Sequence, residues 1–268
     1  MTPCRVAHRV DGPLEAPPVV LSSSLGATWQ MWDPQVPALT RTNRVVRFDH
    51  RGHGASPTPP GPYAIADMGA DVIALLDRLA IETTSFVGLS LGGMVGIWLA
   101  AHHPRRIDAL VLICTSALPD AAEAWRTRAS LVRDQGTAAV ADAVVARWFT
   151  PELAEREPEL VSRMAAMVSA TSADGYAACC GAIEGLDLRA ECRRISAPTL
   201  VVAAAEDPAM PPEEHGRVIT GLIPGSRYVE LSPAAHLANV EQPEVVTGLL
   251  LEHLRAPRHE SMKGLMND

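Results

Sequence analysis

The sequence predicts an α/β fold: a mostly parallel central sheet with helices on both faces and an inserted helical cap. Three observations point there. Short β-branched runs alternate with longer helical patterns. The runs are nearly continuous in apolar residues, as strands buried on both faces require. Between two of them lie about seventy residues without a strand signal.

The strand runs, in order, are VVLSS (19–23), RVVRFD (44–49), SFVGLS (85–90), ALVLICT (109–115), PTLVVAA (198–204) and SRYVELS (226–232). Residues 65–79 place Met68, Val72, Leu75, Leu76 and Leu79 on one helical stripe, with Asp67, Asp71 and Asp77 off it. Residues 118–187 read as three or four short helices punctuated by Gly136, Pro151, Pro158 and Gly175. Residues 243–254 form a last amphipathic helix. The expected division is a core of residues 1–117 and 188–255, a cap of 118–187, and a polar, aperiodic tail of 256–268. The uncharged run 83–101 has the length of a membrane span, but four glycines and two serines in its middle suit a strand, a turn and a helix instead.

The charge balance is 23 basic against 31 acidic residues, −8 in all, which lacks the basic footprint of a nucleic-acid binder. Five cysteines, an odd number with Cys179 and Cys180 adjacent, suit reduced thiols in a cytoplasm better than a disulfide framework. No apolar segment of a secretory signal follows Met1. His50-x-x-His53 and His102-His103 have no carboxylate or thiol partners at metal-ligand spacing, so neither metal nor other cofactor is expected.

The chemistry is concentrated in Gly88-Leu89-Ser90-Leu91-Gly92-Gly93, a G-x-S-x-G pattern ending a strand and opening a helix. A sharp turn there exposes the Ser90 hydroxyl at the carboxyl edge of the sheet and points a helix N-terminus at it. A serine needs a base. Of nine histidines, His236 in PAAHLANVEQP follows the last strand and precedes the last helix, where a loop can reach back over Ser90. His8, His215, His253 and His259 sit in polar segments expected to be exposed. The carboxylate that would fix the imidazole lies in AEDPAMPP; Asp207 is preferred, with Glu206 as the alternative. The order Ser90, Asp207, His236 differs from that of chymotrypsin-like and subtilisin-like enzymes. Two N–H donors for an oxyanion are expected at Leu91, after the nucleophile, and Leu25, in the loop after the early strand, where Gly26 allows a close turn.

With these residues placed, the chain resembles an α/β-hydrolase over nearly its whole length. DHRGHGAS (49–56) matches the D-x-R-G-x-G-x-S turn of that superfamily, in which Asp49, Arg51 and Gly54 read as structural. Within it the chain is similar to the 3-oxoadipate enol-lactonases. The residues behind this are LSSSLGATWQMWDPQ (21–35), VGLSLGGMVGIWLA (87–100), Trp125 with Arg128, RWFT (147–150) and GYAACCGAIEGLDLR (175–189). Two departures stand out. Ser23-Ser24 occupies the place of a His-Gly pair common in relatives, and the first strand reads as short or missing because HRVDG begins at residue 8.

The resemblance implies an enzyme opening an unsaturated five-membered lactone that bears a carboxylate, a small anionic substrate, and the cysteines place it in the cytoplasm. In a protein of net charge −8 that carboxylate needs a local cation, and a guanidinium matches it best. Arg126, Arg128, Arg133 and Arg147 are candidates. The W-x-x-R match favours Arg128, with Arg147 next and Trp125 and Trp148 as apolar walls. A general carboxylesterase or other lactonase, a C–C bond hydrolase, a haloperoxidase-like enzyme and a non-catalytic ligand receptor stay open as alternatives.

Overall fold

The computed structural model describes residues 2–119 and 122–255. Seven strands form one sheet: β1 (His8–Asp11), β2 (Pro18–Ser22), β3 (Arg44–Phe48), β4 (Thr84–Leu89), β5 (Ile107–Ile113), β6 (Thr199–Ala204) and β7 (Arg227–Leu231). Their order is β1-β3-β2-β4-β5-β6-β7, with β1 antiparallel to β3 and every other pair parallel. Every residue of β4 and β6 is buried, which explains their unbroken apolar character.

The first strand, expected to be short or missing, is short and present. It pairs His8 with Phe48 through Asp11 with Val45. An edge strand buries little, so it lacks the apolar run that identified the others. A buried arginine fastens it: Arg47 of β3 donates to Asp11 at 2.7 Å and also to Asp33.

The helices are α1 (Val36–Leu39), α2 (Ile65–Arg78), α3 (Leu91–His102), α4 (Ala122–Gln135), α5 (Ala138–Val145), α6 (Pro151–Arg156), α7 (Pro158–Ser169), α8 (Ala173–Ile183), α9 (Arg189–Cys192), α10 (Gly216–Leu222), α11 (Ala238–Glu241) and α12 (Pro243–Arg255). A short 3₁₀ turn covers Trp29–Trp32. Ser90 divides the uncharged run 83–101 between β4 and α3. Among the described residues no helix is long and apolar enough to cross a membrane.

Among the described residues of 118–187 the structure has five helices, α4 to α8, one more than the punctuation suggested, and α9 follows before β6. Pro151 and Pro158 open α6 and α7, where a missing N–H costs nothing. Gly175 does not break a helix. It lies in the first turn of α8, where its backbone meets Gly52: a Cβ on Gly175 would fall 2.4 Å from the Gly52 Cα. The excursion leaves after β5 and returns where the Leu188 amide bonds the Ala117 carbonyl at 2.7 Å.

Asp71, read as lying off the apolar stripe, is buried. Arg51 holds it with two hydrogen bonds, Nε to Oδ2 at 2.7 Å and Nη2 to Oδ1 at 2.6 Å, both side chains being out of solvent. The partner lies twenty residues away in another element, so helical periodicity alone placed Asp71 on the wet side. The tail of residues 256–268 lies outside the described residues.

Candidate active site

Ser90 stands between β4, the middle strand of the sheet, and α3. Its backbone is strained, with φ +55° and ψ −115°. Such a conformation costs on the order of 1–3 kcal/mol and persists only where surroundings enforce it. Here the Ser90 N–H donates to Ile113 O at 3.0 Å, and Thr115 Oγ1 donates to Ser90 O at 2.7 Å. The flanking glycines are required by close approach. A Cβ on Gly88 would fall 2.2 Å from Gly92 O, and one on Gly92 2.3 Å from Ser22 O.

The loop after β6 carries Asp207, and the loop after β7 carries His236. Glu206 N donates to Ala234 O and Ala205 N to Leu231 O, both at 2.9 Å, locking the two loops together. His236 Nδ1 then donates to Asp207 Oδ2 at 2.8 Å with both side chains buried. Burial alone would raise the Asp207 carboxyl; the His236 charge and hydrogen bond, with the amides of Met210 and Ala209 on Oδ1, hold it below the ordinary carboxylate range. The Glu206 side chain is exposed, and the residue contributes to this arrangement through its backbone bond to Ala234 O.

Ser90 and His236 line one small cavity, together with Ser24, Leu25 and residues of α4, α5, α8 and the segment after α5. Gly92 N donates to Ser23 O at 3.1 Å, tying the loop after β2 to the helix after Ser90. Among the described residues, the amides of Leu25 and Leu91 make no hydrogen bond within the protein, while those of Ser24, Gly26 and Gly92 are engaged. Two unengaged N–H groups beside a serine and an imidazole can hold an oxyanion.

Two of the four arginines considered reach the cavity. Arg128 and Arg147 line it, with Trp125, Trp148 and Tyr176 as further walls, and the Arg128 guanidinium lies over the Trp125 ring at 4.7 Å. Arg126 instead pairs with Glu123 and Glu184, and Arg133 lines a separate surface groove by Pro59 and Pro60.

Several residues of the site carried no readable signal. Tyr176 is fully buried on the cavity wall; burial and neighbouring Cys180 push its hydroxyl up to about 12, against the pull of Arg128 and Arg147. An aromatic in a helix reads as core, and only its place in 175–189 could have flagged it. Glu241 ties the helical roof to the histidine loop: it accepts from Thr150 N at 3.1 Å, from Thr150 Oγ1, and from Ala235 N at 2.8 Å. Leu237 N adds a bond to Trp148 O at 2.9 Å.

The other histidines depart from expectation in part. His215 is buried, with Nδ1 at 2.8 Å from Ser116 Oγ, and His253 is half-buried against Pro198 O, so neither is the solvated loop residue expected. His8 is also half-buried, and His259 lies outside the described residues. His102 closes α3 stacked on Trp98 at 4.7 Å.

Comparison with known proteins agrees with this geometry. Residues 17–243 match the alpha/beta hydrolase fold family. The chain is 42% identical over 233 residues to 3-oxoadipate enol-lactonase 2 of Acinetobacter baylyi, covering 87% of this chain and 86% of that one. Among solved structures it is similar to the enol-lactonase from Burkholderia xenovorans, with TM-score 0.91 and 42% identity over 93% of this chain and 96% of that one. A hydrolase from Pseudomonas aeruginosa superimposes with TM-score 0.90 and 47% identity, covering 94% of each chain. The chain belongs to the alpha/beta hydrolase fold family and is a hydrolase.

Proposed function

We propose that this enzyme opens a carboxylate-bearing enol-lactone, 3-oxoadipate enol-lactone, to 3-oxoadipate through an acyl-enzyme on Ser90. The observation that carries the reading is one cavity lined by Ser90, His236 and the guanidiniums of Arg128 and Arg147. Relatives bearing the enol-lactonase name support the choice of substrate.

In this reading His236 takes the Ser90 proton as Oγ attacks the lactone carbonyl. Asp207 holds the imidazole tautomer through Nδ1 and stabilises the imidazolium. The oxyanion sits on the Leu25 and Leu91 amides. Collapse breaks the ring C–O bond, His236 returns the proton to the enol oxygen, and the enol ketonises. Water, deprotonated by the same imidazole, then attacks the acyl carbon, and the proton goes back to Ser90. Arg128, with Arg147, holds the substrate carboxylate, and Trp125 and Trp148 wall the ring. All five cysteines are free and buried, which fits a reducing compartment, and a cytoplasmic enzyme is part of the same proposal.

The test compares hydrolysis of the enol-lactone with that of p-nitrophenyl acetate and maps fluorophosphonate labelling by mass spectrometry. The expected result is covalent labelling of Ser90 and a kcat/KM for the enol-lactone well above that for the neutral ester. Labelling elsewhere, or no preference for the anion, overturns it.

A further inference from the structure

We propose that His53 is a positioning residue for the oxyanion site, setting the direction of the Leu25 amide by accepting the Gly26 N–H. The inference rests on the reading of Leu25 as an oxyanion donor and goes beyond it by naming what aims that donor.

Three successive peptide units form the loop after β2. The unit joining Ser23 and Ser24 is fixed at both ends. Its carbonyl faces His50 Nε2 at 3.2 Å and accepts the Gly92 N–H at 3.1 Å, while its N–H donates to Met31 Sδ at 3.4 Å. The unit joining Leu25 and Gly26 is fixed by His53, whose Nε2 accepts the Gly26 N–H at 2.9 Å. The unit between them bears the Leu25 amide. Its carbonyl accepts Ala27 N at 3.1 Å, and because N–H and C=O of a trans peptide point opposite ways, its N–H is directed away from that bond. Its plane therefore follows from its two neighbours.

The chemistry of the partners settles the tautomers. An amide N–H only donates, so His53 Nε2 is unprotonated, and its proton is on Nδ1, facing the Arg51 carbonyl at 3.2 Å. The Ser23 carbonyl only accepts, so His50 carries its proton on Nε2, where Ser22 Oγ, also at 3.2 Å, is a second acceptor. The two imidazoles use opposite tautomers, one taking an N–H from the loop and the other giving one to it. Both are buried, and their centroids are 6.2 Å apart. The turn of residues 49–56 is attached to the same loop a third time, through Asp49 Oδ1 and Trp29 N at 2.9 Å. A turn otherwise read as scaffold thereby holds the donor side of the reaction.

An oxyanion donor acts in the transition state and little in the ground state, so its misdirection lowers kcat and leaves KM nearly unchanged. The measurement uses p-nitrophenyl acetate turnover and inhibition by phenylboronic acid. His53→Leu, which removes the acceptor, is expected to lower kcat about ten- to a hundred-fold, below the full loss for deleting a donor. KM should stay within about twofold, and the boronate should bind more weakly by a similar factor. His53→Gln places an acceptor near the Nε2 position and should recover kcat to within about fivefold; His53→Asn places it near Nδ1 and should not. If His53→Leu does not fold, the Gln and Asn pair decides. Unchanged kcat in His53→Leu, equal behaviour of Gln and Asn, or a loss confined to KM overturns the proposal. Should those results arise while Ser90→Ala is inactive, only the positioning role falls; should Ser90→Ala retain activity, the underlying reading falls with it.

Discussion

On the sheet side of the cavity, the loops after β2, β4, β6 and β7 are held by backbone amides, buried imidazoles and two buried carboxylates, Asp49 and Asp207. On the helical side, α4 packs on α8 and α5 on α7 through apolar contacts, and the charged groups lie mostly at the surface. Few polar ties reach across among the described residues: Glu241 to Thr150, Leu237 to Trp148, Thr171 Oγ1 to Gly26 O at 3.4 Å, Thr28 N to Met167 Sδ at 3.3 Å and Cys179 Sγ to Arg51 O at 3.9 Å. The floor is held by directional bonds around its candidate reacting groups, and the roof has shape and charge. Substitutions in the floor should therefore act on kcat, and those in the roof on which substrate is chosen.

The sharpest break of that contrast is in the floor. Ser90→Ala should lose at least about a thousandfold in kcat, as nucleophile deletions in serine hydrolases do, with an unchanged melting temperature because a small residue fits the elbow. His236→Ala should match it and Asp207→Asn should be milder, measured by steady-state kinetics. A Glu206→Gln variant worse than Asp207→Asn would reassign the acid.

In the roof, Arg128→Ala should lower kcat/KM for the enol-lactone about ten- to a hundred-fold, the worth of one charge-assisted hydrogen bond. Hydrolysis of a neutral ester should barely change. Equal losses on both substrates would give Arg128 a structural part through its stack on Trp125. No loss on either would move the carboxylate to Arg147.

Glu241 belongs to both regions, so its substitution tests how separable they are. Glu241→Gln keeps one acceptor oxygen and leaves one partner of the Thr150 and Ala235 set unmatched. A loss of about 1–3 kcal/mol in stability is expected, with a several-fold fall in kcat through the histidine loop, read by thermal melts and kinetics together. Lost stability with intact kcat would show the roof to be uncoupled.

The smallest expected effect is in pH dependence. Burial, with the nearby His53, lowers His50 to about 3, and burial lowers His53 to about 4, against 6.5 for the free side chain. Between those values the unfolded chain binds more protons than the folded one, so this contribution is complete above about pH 6.5 and is lost as pH falls toward 4. For His53 the loss at pH 5.5 is on the order of 1 kcal/mol, a few degrees in melting temperature. His53→Gln should flatten the fall of Tm between pH 7 and 5.5. An unchanged slope would refute the neutral, buried state of His53.

The fold, and the residues it brings together at the candidate site, were legible because their requirements are local. A nucleophile elbow needs small residues two before and two after the serine, and both can be seen within one short pattern. Strands buried on two faces announce themselves by unbroken apolar runs. What was hidden depends on partners distant in sequence. Asp71 is buried because Arg51 reaches it, and His215 because Ser116 lies across from it. The edge strand β1 is a polar tetrapeptide that owes its position to β3. Which arginines reach the cavity depended on helix orientation: Arg126 and Arg128 are two residues apart on α4, and only the latter faces Ser90.

The bond between the Leu188 amide and the Ala117 carbonyl has a consequence for how such a chain can change. The helical excursion departs and re-enters through one doorway, so its two ends are stitched together whatever lies between them. Closing a flexible segment costs only about 0.6 kcal/mol more for each doubling of its length. Helices can accordingly be lengthened, shortened or exchanged wholesale beyond that doorway without shifting the register of β5 against β6. A graft cut at Ala117 and Leu188 that keeps the Trp148 and Thr150 bonds to the histidine loop is expected to carry a new roof onto the same floor, and its substrate preference would test whether the roof sets that choice.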